Sequence, residues 1–149
     1  MRRILGLALL VVGVLVFSVA TPFAGASTKF SSTEVIDDNG HLVLAFEEGS
    51  MKRFASVDYR LDATAIGKSC DPTGQQCIAQ LFNSTDTATG LVPDDKGRVG
   101  TTLTLSDVNF PSPGPCTCGP HHVDYSDMTL TNLTTGHVYI LDPISRDYP

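Results

Sequence analysis

The sequence predicts an all-β domain, an immunoglobulin-like antiparallel β-sandwich of about seven or eight strands pinned by disulfides. Apolar residues alternate with polar or small ones along several short segments, which is typical of strands with one buried face. Turn-forming residues recur roughly every ten positions. No stretch of about ten residues beyond the N-terminal segment shows the periodicity of an amphipathic helix. These observations together favour a sandwich.

The N-terminal segment predicts export. Two arginines precede an apolar run, Ile4–Ala20, and Ala24-Gly25-Ala26 then offers small residues to a signal peptidase. This order is typical of a secretory signal peptide, so we expect residues 1–26 to be removed and residues 27–149 to form a single domain. The alternative is a retained anchor, since an apolar run of about 18 residues approaches the length of a membrane span.

Charge and composition narrow the class of partner. The leader holds two Arg and no acid, so its removal changes the net charge from −6 to −8. An acidic chain without clustered Lys or Arg argues against nucleic acid or a membrane surface as partner. We expect a secreted protein, released or held at the cell wall, that needs no cofactor and binds an extracellular ligand or surface protein.

The predicted mature region divides into short strands separated by turns. Asp37-Asp38-Asn39-Gly40 suits a hairpin turn, and Glu47-Glu48, at the end of the strand that follows, is expected to be solvated. Residues 142–149 are expected to form an edge strand or a tail. In chain order, the predicted strands are Leu42–Phe46, Val57–Ala65, Ile78–Phe82, a segment from Val99 towards Phe110, and two stretches around Met128 and Leu130 and around Val138 and Ile140.

Two further features concern the core and a stiff loop. An apolar stripe formed by Val57, Tyr59, Leu61, Leu103 and Leu105 is expected to be core and not to line a ligand site.

The segment Pro111-Ser112-Pro113-Gly114-Pro115 cannot be a central strand, because three prolines remove ladder donors. It is predicted to be a stiff loop that holds Cys116 in a fixed position.

Four cysteines in an exported chain are expected to pair. Cys70 and Cys77 enclose a turn-rich segment, so they could close a local disulfide and leave Cys116 and Cys118 as a strained or reduced pair. Residues two apart on a strand lie near the upper limit for a disulfide. The crossed alternative joins each of Cys116 and Cys118 to Cys70 or Cys77.

Parts of the chain resemble two secreted actinobacterial groups. Val57–Ala65, running towards a Cys, and the closing strand Met128–Gly136 resemble uncharacterised exported sandwich proteins, a likeness that covers most of the mature chain and implies no known activity. The size, the disulfide layout and the strand Lys96–Leu105 are similar to the enediyne-chromophore-binding apoproteins. That likeness implies an immunoglobulin-like sandwich with a ligand cleft, although Cys116-Thr117-Cys118 is tighter than the second loop of that family.

The leading functional hypothesis is a non-catalytic binding module. We expect the loop end formed by residues 70–77 and 112–122 to be the contact surface, because prolines and disulfides would hold it ready for binding. The candidate binding residues are Asp71, Gln75, Gln76, Pro115, Thr117, His121 and His122.

Two other functions stay open at this point. Cys116, Cys118, His121 and His122 fall within seven residues, and thiolates with imidazoles suit Zn²⁺ or copper. The third hypothesis is a small hydrolase, for which Ser126, His121 and Asp124 could supply a nucleophile, a base and an acid. No esterase, metalloprotease or phosphate-loop motif accompanies these residues, and we assign no catalytic residue.

Overall fold

The computed structural model describes residues 29–73, 76–108 and 120–149. These residues form eight strands and no helix, so the predicted all-β class is confirmed. The predicted proline-rich loop at residues 111–115 lies outside them. The strands are β1 (Phe30–Ile36), β2 (Leu42–Glu48), β3 (Val57–Cys70), β4 (Cys77–Leu91), β5 (Val99–Leu105), β6 (His122–Asn132), β7 (Val138–Ile140) and β8 (Ile144–Asp147).

The strands form two antiparallel sheets that pack together. One sheet has the order β1-β2-β5, and the other has the order β4-β3-β6-β7. Strand β8 lies on the same side of β6 as β7: residues 129–131 of β6 pair with β7, and residues 122–125 pair with β8. In immunoglobulin terms these are strands A-B-E facing strands C′-C-F-G. The predicted immunoglobulin-like antiparallel sandwich is therefore confirmed.

The core follows from the alternation of side chains along each strand. Successive residues of a strand point to opposite faces, and every residue of the predicted core stripe is at most 2% exposed. The turn before β2 forms as predicted, with Gly40 at φ 87°. The C-terminal residues also form the expected edge strand, β8.

In β6 the alternation changes phase at Asp127. Val123 and Tyr125 are buried before this residue, and Met128 and Leu130 are buried after it. Asp127 has φ 49°, and the pairing of β3 with β6 shifts register at this level. An inserted residue of this kind is a β-bulge, and Asp tolerates the left-handed conformation better than most residues. The bulge lets both halves of β6 present apolar side chains to the same core.

A buried carboxylate joins the two sheets. Glu48 of β2 is 0% exposed, and its Oε2 accepts hydrogen bonds from the Tyr59 hydroxyl at 2.7 Å and from Asn132 Nδ2 at 2.9 Å. The Tyr139 hydroxyl donates to the other oxygen, Oε1. The expectation of a solvated strand end is wrong for Glu48, because β2 places it on the same face as Leu44. Glu47 points the other way and is exposed.

Burial of Tyr59, followed by its hydrogen bond to Glu48, raises the pKa of the phenol well above its ordinary value. The hydroxyl therefore stays protonated and donates to the carboxylate. Buried polar groups are costly unless they are paired, and here each of the three donors meets an acceptor in Glu48. The network specifies how the two sheets face each other.

Side chains also close the two seams between the sheets. At the β4–β5 seam, Asp86 accepts a hydrogen bond from the Thr104 N–H at 3.0 Å, and Ser84 donates to Asp107. At the β1–β8 seam, Arg146 donates to the Ile36 carbonyl and to the Asp38 carboxylate. Two of these contacts, at the Thr104 N–H and the Ile36 carbonyl, involve peptide groups that the sheet ladders leave free at the edges.

Replacing Glu48 is expected to destabilise the fold far more than replacing its neighbour. Glu48→Ala leaves the buried donors of Tyr59 and Asn132 and the partly buried hydroxyl of Tyr139 without their acceptor, so we expect the free energy of unfolding to fall by about 3 kcal/mol. Glu47→Ala removes an exposed side chain and should change it by less than about 0.5 kcal/mol. Urea unfolding followed by circular dichroism measures both, and equal losses would contradict this account of Glu48.

Candidate functional site

The candidate site is the closed end of the β3–β4 hairpin, which comprises residues 66–73 and 76–81 and is called here the hairpin end. Strand β4 pairs with β3 on one side and lies at the edge of its sheet. Five consecutive residues of β4, Cys77–Leu81, are exposed, whereas Ser69 and Cys70 of β3 are buried. The edge strand therefore shows both of its faces to solvent at this end.

A disulfide closes the hairpin end. Cys70 and Cys77 are directly opposite in the strand register, with an S–S distance of 2.08 Å and a Cα–Cα distance of 4.0 Å. The local pairing is therefore correct for these two cysteines, and the crossed pairing is wrong, because the register brings them together. In the chain-entropy account, a disulfide across so short a loop stabilises the fold by about 2 kcal/mol.

Internal hydrogen bonds hold the turn between Cys70 and Cys77. The Asp71 N–H donates to the Gln76 carbonyl at 2.8 Å, and the Thr73 hydroxyl donates to Asp71 Oδ1 at 2.9 Å. Asp71 is half-buried and Gln76 is exposed. The other predicted contact residues in the two loops, Gln75, Pro115 and Thr117, lie outside the described residues.

His121 joins the hairpin end from the start of β6. Its ring Nδ1 accepts a hydrogen bond from the Cys70 backbone N–H at 3.4 Å, and its backbone N–H donates to the Lys68 carbonyl at 2.7 Å. The structure thus brings His121 next to the disulfide and to the turn that holds Asp71 and Gln76. These residues are far apart in the sequence, and their proximity follows from the antiparallel pairing of β3 with β6.

His122 lies on the outer face of the five-stranded sheet, away from the position of His121. Its Nε2 is 2.8 Å from Asp124 Oδ2, and its Nδ1 is 2.6 Å from Asp147 Oδ1. The hydrogen bond to Asp147, with a smaller contribution from Asp124, raises the pKa of His122 above its ordinary value of 6.5. Lys68 is opposite His122 in the register of β3 with β6. The His122 ring bridges β6 and β8.

The two histidines of the metal hypothesis therefore have different partners. His121 faces the Cys70 backbone, and His122 is held between two carboxylates. Cys116 and Cys118, the other members of that hypothesis, lie outside the described residues. Within residues 29–73, 76–108 and 120–149, no group of three or more His, Cys, Asp or Glu is arranged to hold a metal ion.

The hydrolase hypothesis needs Ser126, His121 and Asp124 in contact, and the hydrogen bonds do not bring them together. The His121 ring nitrogen is bonded at Cys70, and the Asp124 carboxylate binds His122. The other two histidines lie elsewhere, with His41 beside Asp37 in the β1–β2 turn and His137 stacked on Tyr139.

Exposed apolar side chains distinguish the hairpin end from an ordinary polar loop. Ile66 of β3 and Leu81 of β4 are directly opposite on the outer face and are 42% and 58% exposed. Ile78, on the other face of β4, is 40% exposed. Exposed apolar groups that lie together mark contact surfaces more often than isolated ones do.

A polar depression that the sequence analysis missed lies further along the same hairpin. It is open to solvent, has a volume of about 370 Å³, and is lined by Asp62, Asp107, Asp127, Asn83, Ser84, Thr85, Ala63 and Thr64. Two of its carboxylates are already bonded, since Ser84 donates to Asp107 and Thr85 donates to Asp62. These residues come from separate strands and share no motif, so no pattern in the sequence pointed to them.

Comparisons of the chain with protein-family models, with curated proteins and with solved structures found no match. In the part of the chain that the structure describes, no helix has the length and apolarity to cross a membrane.

The bridge through His122 is expected to depend on pH. Because its carboxylate partners raise the pKa of His122 above 6.5, the bridge stabilises β8 fully below that value and is lost as the pH rises through the raised pKa. We expect an NMR titration to place the His122 pKa above 6.5, and Asp147→Asn to lower it. The protection of the Ile144–Asp147 amides, corrected for intrinsic exchange, should fall over the same pH range.

Asp142→Asn is the control for this titration, because Asp142 lies in the connection between β7 and β8 and makes no contact with His122 in the structure. It should leave the His122 titration unchanged. A His122 pKa at or below 6.5, or equal shifts in the two variants, would contradict the bridge.

Proposed function

We propose that this protein is an exported, non-catalytic binding module that contacts an extracellular ligand or surface protein through the hairpin end. The observation that carries the proposal is the exposure of Ile66, Ile78 and Leu81 on a segment that a disulfide stiffens. Ile66 and Leu81 lie together on one face of the hairpin end and Ile78 lies on the other, and a domain that leaves apolar side chains in solvent gains free energy when a partner covers them.

Rigidity supports a role in binding. Ordering a flexible loop on binding costs conformational entropy, and a loop that is already ordered avoids much of that cost. The hairpin end is held by the Cys70–Cys77 disulfide, by the bonded turn at Asp71, and by His121 against the Cys70 N–H. The contact surface would therefore meet its partner without a large rearrangement.

The surroundings of the apolar residues indicate the chemistry of the partner. Gln76 and Gln80 are exposed beside Ile78, and Lys68 is exposed on the outer face next to Ile66. Each face of the hairpin end thus carries exposed apolar side chains beside polar ones, with Ile66 and Leu81 on the outer face and Ile78 on the other face. Apolar groups flanked by polar ones are typical of a protein–protein interface. A protein surface that presents apolar side chains fits it best.

Export is supported by two independent features. The N-terminal pattern of arginines, apolar run and small residues is typical of a secretory leader. Disulfides such as Cys70–Cys77 form and persist in oxidising compartments and are rare in the cytosol. The protein would be released into the medium or held at the cell wall after cleavage before Ser27.

Intact-mass measurement tests export. We expect the protein recovered outside the cell to begin at Ser27 and to be lighter than the fully reduced chain by about 4 mass units if both cysteine pairs are oxidised, or about 2 if only one is. Alkylation without reductant then counts the free thiols. Recovery of an uncleaved chain in the membrane fraction, or of a fully reduced chain, would contradict export as a soluble disulfide-bonded module.

Binding measurements on charge variants test the contact surface. The labelled mature protein is titrated against cell envelopes, and against the immobilised secreted proteins, of the producing organism. We expect saturable binding that Ile78→Lys weakens at least about tenfold, because a buried ammonium at the contact is costly. Leu133→Lys is the matched control, since Leu133 is 46% exposed and lies beyond β6, at the opposite end of the sandwich.

The two variants separate a specific surface from general stickiness. Equal binding by Ile78→Lys and Leu133→Lys, or no saturable binding to either preparation, would overturn the proposal. Circular dichroism should show that both variants fold like the parent protein, because both side chains are exposed.

A further inference from the structure

We propose that the free edge of β4 pairs with β4 of a second copy of this chain, antiparallel about a twofold axis at Leu81. The two five-stranded sheets would then join into one continuous sheet across the dimer. The proposal concerns the backbone edge of β4 and does not depend on the proposed binding activity.

The strand register identifies which backbone groups face the free edge. The Asp71 N–H donates to the Gln76 carbonyl, and hydrogen-bonded pairs alternate with non-bonded pairs along an antiparallel ladder. Residues 78, 80 and 82 of β4 therefore bond to β3. Ala79, Leu81 and Asn83 direct their N–H and C=O groups away from β3, and all three residues are exposed.

Among the described residues, the part of this edge formed by residues 77–83 lacks the charges and prolines that protect edge strands, whereas Ser84 and Asp86, further along β4, bond to the segment around β5. Residues 77–85 include no charged residue, no proline and no glycine, although edges are usually guarded by charges, prolines, bulges or short length. The other edges of the described sheets differ. Asp86 covers the Thr104 N–H of β5, Arg146 covers the Ile36 carbonyl of β1, and β7 and β8 have only three and four residues.

A second copy fits this edge because the pairing is self-complementary. About an axis at Leu81, each Leu81 faces its copy and each Ala79 faces Asn83, so the paired residues 79–83 bring no like charges together. The chain carries a net charge of −6, which disfavours contact between acidic surfaces, whereas residues 77–85 contribute none of that charge. A twofold antiparallel contact of this kind closes on itself and stops at a dimer.

Side chains on the outer face add to the backbone pairing. Ile66 lies opposite Leu81 within each molecule, so the dimer would carry a row of Ile66, Leu81 and their two copies across the axis. Neighbouring strands are about 4.8 Å apart, which places these half-exposed side chains in contact. About six backbone hydrogen bonds would form between residues 79 and 83 of the two strands.

Sedimentation velocity on the purified mature protein tests the dimer, from about 1 to about 300 µM (Kd values in this range correspond to modest interfaces). We expect a concentration-dependent dimer. Leu81→Lys should abolish it, because two ammonium groups would face each other across the axis. Val138→Lys is the control, since Val138 is 50% exposed on β7 and should leave the dimer intact.

Amide exchange gives a second measurement that needs no variant. The Ala79, Leu81 and Asn83 amides should be protected more strongly as the protein concentration rises, whereas the Gln80 amide, which bonds to β3, should change little. A monomer at every concentration, or a dimer that Leu81→Lys leaves intact, would overturn the proposal. Both experiments use only the purified protein, so they can fail while binding to envelopes succeeds, and the reverse.

Discussion

Glu48 crosses the interface between the two sheets, and its three donors come from three different strands of the opposite sheet. Tyr59 lies on β3, Asn132 ends β6, and Tyr139 lies on β7. An apolar interface alone tolerates small shifts, because the hydrophobic effect is not directional. A shift of one sheet against the other here would leave a buried acceptor and several buried donors without partners, which costs far more than imperfect packing.

The same network organises the end of the sandwich that is remote from the disulfide. Asn132 donates to Glu48 through its amide nitrogen, while its Oδ1 accepts from the Thr134 and Thr135 N–H groups and so shapes the turn into β7. Tyr139, which this turn places, stacks on Phe30 of β1 with ring centroids 3.8 Å apart. One buried acid is thus coupled to a turn, an edge strand and an aromatic contact between the sheets.

Sequence patterns predicted the fold well where each strand keeps a strict alternation. In the stripe of Val57, Tyr59 and Leu61, one polar or charged residue separates each apolar residue from the next. This pattern predicted that the stripe faces the core, and all three side chains are buried. Glu48 was misjudged because a charged side chain at a strand end resembles a solvated end, and the three donors that satisfy it are distant in sequence. Strand β6 was predicted only from Met128 onward, because the bulge at Asp127 interrupts the period of two.

The candidate site was only partly accessible to the same reasoning. The turn-rich segment between Cys70 and Cys77 indicated a local disulfide, which the strand register then established. The position of His121 against Cys70 depends on which strand lies beside β3, and composition does not determine strand order. The polar depression assembles from three strands and the segment after β5, so no local spacing could have revealed it.

The β1–β8 seam determines when the sandwich can close during synthesis of the chain. Arg146 and Ile36, which meet there, are separated by 110 positions, and the Tyr148 hydroxyl reaches the Asp37 carbonyl over a similar span. A ribosome adds roughly 5–20 residues each second, so this seam stays open for several seconds of synthesis. The contact between the first and last strands therefore forms only after the last strand has been synthesised.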